Sequence, residues 1–242
     1  VNLLKYIEWL RNETDELMQR IIEGSRDYNN DLMQMINGPY NYDDKLIKMK
    51  ICEVGPGEHP SKYLLSFKNV TYIDDQITDD SFRDGNLLIP QKLENVRGMF
   101  EENEFDVVFA QDVLEHVDDV YQFMDICSRI GKMVIIAVPN GASLNRMMGY
   151  YNKLMYDPTE ITVADKNAGH QQMFHSDSFE KLMQMYSNNV EIFYLGIKPF
   201  PSKYMDLLPA KFYKQIVQQY ELQFHDVNQL HCARLIGFLD TR

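Results

Sequence analysis

The residues best equipped for chemistry in this 242-residue chain fall in three short stretches. The first is "EVGPG", Glu53 to Gly57, where an apolar run ends in an acid and two glycines follow one residue apart. Glycines in such a turn remove Cβ atoms and let backbone N–H groups approach a ligand closely. The second is "DVLEHV", which carries His116, and the third is "NAGHQQMF", which carries His170. An imidazole at either place is a candidate general base for an acceptor that must lose a proton. Beside the base role, His116 also reads as a histidine that orders Asp112 or Glu115, and His170 as a capping or surface residue. His175 precedes "SDSFEKL", in which Ser176 or Asp177 reads as a helix N-cap, so a structural role is expected for it. His225 and His231 read as surface or strand-end residues. No histidine, cysteine or acidic cluster has metal-ligand spacing along the chain, so no metal is expected.

The glycine turn limits its own ligand. A P-loop closes with Lys-Ser or Lys-Thr, whereas Gly57 is followed by Glu58-His59-Pro60-Ser61. A dinucleotide turn carries a third glycine for close helix–strand packing, and that position holds Pro60. Glu58 would add negative charge beside a pyrophosphate. What remains is a cationic nucleoside without phosphate, or an ordinary tight turn.

Elements that would position these stretches can be read from periodicity. Residues 1–37 carry apolar side chains at helical spacing, and Asn37 to Asp44 reads as a turn. Strands are expected at 48–54, 70–73, within "NLLIP", at 105–110, along "KMVIIAVPN", at 189–197 and at 230–240. The unbroken apolar "FDVVFA" predicts a strand buried on both faces. Helices are expected after Gly57 and over 112–130, the latter stopped at Gly131. The alternation predicts an α/β fold: a doubly wound, seven-stranded, mostly parallel sheet, with N-terminal helices and helical insertions after strands five and six. One domain is expected, with an N-terminal helical cap at 1–45, a cofactor-binding half at 46–140 and an acceptor-side half at 141–242.

Bulk properties narrow the partners. The net charge is −12, which opposes phosphate backbones and anionic lipid, so neither nucleic acid nor membrane is an expected partner. No apolar run approaches the ~20 residues of a membrane span. The N-terminal stretch carries acids throughout and has no signal-peptide cleavage pattern. Three cysteines far apart, each among apolar neighbours, fit a reducing, cytoplasmic setting. The sequence leaves a homodimer open.

Taken in order, "EVGPG" after a first strand, "YIDD" at the end of a second, "FDVVFAQDVLEHV" around a fourth and "MVIIAVPN" on a fifth resemble the motifs of class I S-adenosylmethionine-dependent methyltransferases. The post-strand-five segments "VPNGASL", "GHQQMF" and "IKPFP" resemble a subgroup acting on small molecules or glycan precursors. The resemblance implies a Rossmann-like methyltransferase fold with S-adenosylmethionine as cofactor. It implies that Glu53 fixes the methionyl amino group and that Gly55 and Gly57 meet the methionyl and ribose parts. Asp74, about 20 positions beyond the first glycine, would accept the ribose hydroxyls, with Asp75 as the competing choice. Gln111 would lie near the methionyl end. The acceptor implied is a small polar molecule, methylated on an oxygen of a sugar or of a glycan- or nucleotide-linked intermediate, as in carbohydrate or small-molecule biosynthesis. Alternatives are N-methylation and a non-catalytic cofactor-binding subunit. Aromatics of the insertions, with Arg146, Lys198 or Lys203 for an anionic acceptor group, are expected either to line the acceptor pocket or to form the insertions' own core.

Overall fold

The computed structural model describes residues 49–57, 64, 69–77, 86–151, 155–195, 232 and 234–242. Seven strands form one sheet: β1 (Ile51–Val54), β2 (Val70–Ile73), β3 (Leu87–Ile89), β4 (Val107–Gln111), β5 (Met133–Pro139), β6 (Asn189–Leu195) and β7 (Arg234–Asp240). Their spatial order is β3-β2-β1-β4-β5-β7-β6. Strands β1 to β5 pair in parallel, and β7 runs antiparallel between β5 and β6. The expected mostly parallel α/β sheet is therefore present.

Burial explains the strand sequences. All of β1 and all of β5 except Pro139 are buried, as expected of parallel strands covered on both faces. Helices α1 (Val120–Ile130), α2 (Leu144–Tyr151), α3 (Val163–Asn167) and α4 (Ser176–Gln184) follow β4 and β5. Phe123, Met124, Ile126, Cys127 and Ile130 of α1 join the core with Phe179, Leu182 and Met183 of α4. Gly237 in β7 admits α4 closely, since a Cβ there would lie 2.4 Å from Met183 Cε. Cys52, Cys127 and Cys232 are free and buried.

Two boundaries differ from expectation. The helix expected over 112–130 starts only at Val120. Asp119 stops it from extending backward: it is extended in backbone, and its carboxylate accepts the N–H groups of Tyr121 and Gln122, as an N-cap does. Asp112 has φ 56°, a left-handed value that no helix continues through. Residues between them form the exit loop of β4, so Val113, Leu114 and Val117 pack inward from a loop. The helix does end at Gly131, but in extended backbone rather than a left-handed cap. Glycine is needed there because a Cβ would sit 2.6 Å from Val108 Cγ2.

The N-terminal helices, the helix expected to open after Gly57 and the helical insertion after β6 lie outside the described residues, apart from Leu64. The helical pieces expected after β5 are α2 to α4. Because β1, β2, β4 and β5 are parallel, Val54, Ile73, Gln111 and Pro139 end at one edge. The chain winds from β1 toward β3 on one side and through β4 and β5 on the other. The crevice at that switch point is where open α/β sheets bind ligands.

Candidate functional site

The glycine turn leaves β1 at this crevice. Gly55 and Gly57 have φ of 71° and 66°, a region L-residues seldom adopt. A Cβ on Gly55 would strike Val113 at 2.3 Å, so this glycine lets the β4 exit loop pack on the turn. A Cβ on Gly57 would meet nothing within 4 Å. That glycine therefore faces open space, and its conformation rather than its packing requires it.

Asp74 holds the turn from below. One carboxylate oxygen accepts the Gly57 N–H at 2.8 Å, and the other accepts the Gln76 N–H at 2.8 Å. Each oxygen retains a further lone pair for a hydroxyl donor. Asp75, the competing choice, is exposed and makes no such link to the turn. Glu53, the third residue of β1, is 2% exposed. Gln111 is the last residue of β4 and is half-buried, its Cα in register with Ala137. The residues expected to hold the cofactor thus converge where β1, β2 and β4 end.

The β4 exit loop and the segment before α4 form the other wall. Gln171 and Gln172 donate backbone N–H groups to Glu115 O at 2.8 and 3.4 Å. Their side-chain amides donate to His116 O at 2.9 Å, Leu114 O at 3.0 Å and Val117 O at 3.2 Å. This docking brings His116 and His170 edge to face, with ring centroids 4.9 Å apart. Gly169, at φ 83°, has no Cβ to crowd His116 Nδ1. Burial lowers the His170 pKa, and His116 beside it acts in the same direction against Asp165. His170 is then neutral at neutral pH and can accept a proton.

Acids surround this pair. Glu115 is 1% exposed, and its Oε1 lies 3.9 Å from His116 Nε2. Burial, with Asp112 nearby, pushes Glu115 up to about 8. Burial likewise pushes Asp112 up to about 7 against a hydrogen bond from the Gln111 side chain, and the Arg234 guanidinium makes an ion pair with it. His170 Nδ1 lies 3.6 Å from Asp165 Oδ1. Burial opposes ionisation of Asp165, but bonds from Thr162 and Arg146 outweigh it and hold the carboxyl below its ordinary value.

Several sequence expectations change here. His116 and His170, far apart in sequence, are brought together by the docking, and His116 does sit beside Glu115. Arg146 is not available to an anionic acceptor: it is buried, pairs with both Asp165 oxygens at 3.2 and 3.0 Å, and donates to Pro158 O and Glu160 O. His175 is structural as expected, yet it is itself the N-cap of α4, in a reciprocal pair with Ser178. Of the insertion aromatics, Phe174 is core, Tyr150 is exposed and Tyr156 is 97% exposed. Lys198, Lys203, Phe200, Tyr204, Phe212, Tyr213, His225 and His231 lie outside the described residues. Sequence reasoning gave no role to Asp165, although Thr162-x-x-Asp165 is a readable capping box.

Known proteins place this geometry. Residues 53–133 match the family model described as a methyltransferase domain. No curated protein matches the chain in sequence. Among solved structures, a Thermotoga maritima S-adenosylmethionine-dependent methyltransferase, described as a possible histamine N-methyltransferase, aligns at 11% identity and TM-score 0.54, over 98% of this chain and 99% of that one. A Haemonchus contortus phosphoethanolamine N-methyltransferase, complexed with phosphomonomethylethanolamine and S-adenosylhomocysteine, aligns at 12% identity and TM-score 0.50. That alignment covers 89% of this chain and 52% of the other. The cofactor expected from the sequence, S-adenosylmethionine, is the one the family model and the fold support, and the glycine cradle and paired acids are chemically suited to it. From Glu53 to Met133 the chain carries the signature of a methyltransferase domain, on the Rossmann-like fold of S-adenosylmethionine-dependent methyltransferases.

Proposed function

We propose that the protein transfers a methyl group from S-adenosylmethionine to an oxygen of a small polar acceptor, of the sugar or glycan- or nucleotide-linked kind. When bound, the cofactor supplies a methyl on a sulfonium, whose leaving group is already good. The observation that carries the reading is the link from Gly57 N–H to Asp74 at 2.8 Å, which ties the open glycine turn to a carboxylate placed for a ribose diol. Glu53 offers negative charge to the methionyl ammonium, and the backbone of Gly55 and Gly57 lines the cradle. Gln111 contributes beside the methionyl end.

The acceptor side supports oxygen chemistry. A hydroxyl must lose its proton as the new C–O bond forms, and the cluster of His170, His116 and Glu115 stands where the insertion after β5 meets the exit of β4. A neutral His170 accepts that proton or positions the acceptor for its loss. Holding the acceptor in line with the methyl and away from water supplies the remaining advantage.

Calorimetry with S-adenosylhomocysteine tests the cofactor half. Asp74→Asn is expected to weaken binding by about 10- to 100-fold, the scale of hydrogen bonds to a charged group, while Asp75→Asn leaves it near wild type. Binding of NAD but of neither S-adenosyl compound would refute the reading. Incubation of labelled S-adenosylmethionine with host metabolite fractions identifies the acceptor; a product methylated on nitrogen would overturn the oxygen assignment.

A further inference from the structure

Glu115 poses a problem that the cofactor does not address. Both of its carboxylate oxygens are buried without a hydrogen-bond partner, a costly state for an acid that is 1% exposed. Two imidazoles face it. One potential ligand atom from each of Glu115, His116 and His170 can be chosen so that all lie within 4.8 Å of one another. Three tetrahedral ligands held ~2.1 Å from an ion lie ~3.4 Å from one another, so the longest separation in the cluster would contract by up to about 1.4 Å. The Glu115–His116 separation of 3.9 Å would shorten by about 0.5 Å.

We propose that Glu115, His116 and His170 form a binding site for a divalent first-row transition cation, at the acceptor wall of the crevice. The donor set is the argument for the class. Two imidazoles and one carboxylate suit zinc, iron, cobalt or manganese, whereas calcium and magnesium prefer oxygen. His116 presents Nε2 toward Glu115, and Gly169 stands at its Nδ1. His170 turns Nδ1 toward Asp165, which leaves Nε2 for the ion. Asp165 stands 3.6 Å from that buried Nδ1, which makes no hydrogen bond of its own, so a small closure would let the carboxylate fix the ring, and Asp165 is itself held by Arg146 and Thr162. The site is preorganised, because the Gln171 and Gln172 bonds to the β4 exit loop hold the ligands opposite one another. Three protein ligands would leave coordination positions open for an acceptor hydroxyl whose acidity the ion would raise, so in the loaded site the ion takes the part of the base that a free His170 would otherwise play. That last role rests on the proposed methyl transfer; the binding of the ion does not.

The test uses the full, tag-free chain after chelator treatment, titrated with Co²⁺ and Zn²⁺. One equivalent of Co²⁺ is expected to bind and to produce visible ligand-field absorption that Zn²⁺ displaces. Glu115→Gln keeps the side-chain volume, and His170→Ala truncates a partly buried ligand; each is expected to weaken Co²⁺ binding by about 100-fold, while His175→Asn, which keeps a capping side chain on α4, does not. S-adenosylhomocysteine binding and circular dichroism are measured on every variant. No stoichiometric cobalt binding, or binding untouched by Glu115→Gln and His170→Ala in folded protein, overturns the site. Cobalt binding without any S-adenosylhomocysteine binding would uphold the site and refute the proposed function; the converse would refute the site alone.

Discussion

Gly55 and Gly57 share a left-handed backbone but are required for different reasons, and substitution should separate them. Alanine at Gly57 pays only the conformational cost, about 1–2 kcal/mol, since its Cβ projects into open space. Alanine at Gly55 adds a Cβ 2.3 Å from Val113, and overpacking of that kind costs a further ~1–3 kcal/mol. Urea unfolding should therefore find Gly55→Ala clearly less stable than Gly57→Ala, and equal midpoints would contradict the assignment. Gly57→Ala should nonetheless lose S-adenosylhomocysteine affinity, because the methyl enters the cradle. At this scale the placement of the crevice residues was legible in the sequence: Glu53, the glycines, Asp74 and Gln111 each sit at or next to a strand end. Their positions follow from the chain's local course once the strands are located. The partnership of His116 with His170 was not legible, because it depends on Gln171 and Gln172 docking onto a distant loop.

Between elements, the least readable feature was what holds the segment after β5. Arg146 on α2 reaches Asp165 on α3 and two backbone carbonyls, so one guanidinium gathers α2, the 158–160 turn and α3. From the sequence it resembled an anion-binding residue because arginine serves both purposes; only burial tells them apart. Arg146→Gln would leave the Asp165 carboxylate buried without its main counter-charge, which costs about 3–5 kcal/mol. Chemical denaturation should show that loss, with S-adenosylhomocysteine affinity changed less than about twofold in the folded fraction. A large loss of cofactor affinity at unchanged stability would return Arg146 to a ligand-binding role. The start of α1 shows a related limit. Apolar residues at helical spacing continue back through Val117 and Val113, yet Asp119 caps the helix and the preceding residues serve the site as a loop. Periodicity reports which side chains go inward, and a loop packed on a core can satisfy it as well as a helix.

Across the whole molecule, the parallel strands divide labour between their two ends. The carboxyl ends carry the cradle and the histidine cluster, while the opposite edge carries a clasp that sees no ligand. There the Asp106 carboxylate accepts the Lys50 backbone N–H at 2.9 Å and the Lys132 ammonium at 2.7 Å, joining the starts of β1, β4 and β5. Burial opposes ionisation of Asp106, but the Lys132 bond, the Lys50 N–H and both lysine charges outweigh it and lower the pKa below 3.8. A carboxyl with a lowered folded-state pKa stabilises the fold above its unfolded value and loses that contribution as pH falls through the folded one. The clasp should thus be fully effective at neutral pH and fail below about pH 4. Asp106→Asn lacks it at every pH, so the stability gap between wild type and variant should hold steady from pH 7 to about 5 and narrow toward pH 3. Urea midpoints across that range measure the gap, and a gap that persists undiminished at pH 3 would contradict the ionic origin. Because the clasp lies at the far edge of the sheet from the glycine turn, the variant should bind S-adenosylhomocysteine at pH 7 with wild-type affinity. Stability and cofactor binding would then be separable by a single substitution, as the polarity of a parallel sheet requires.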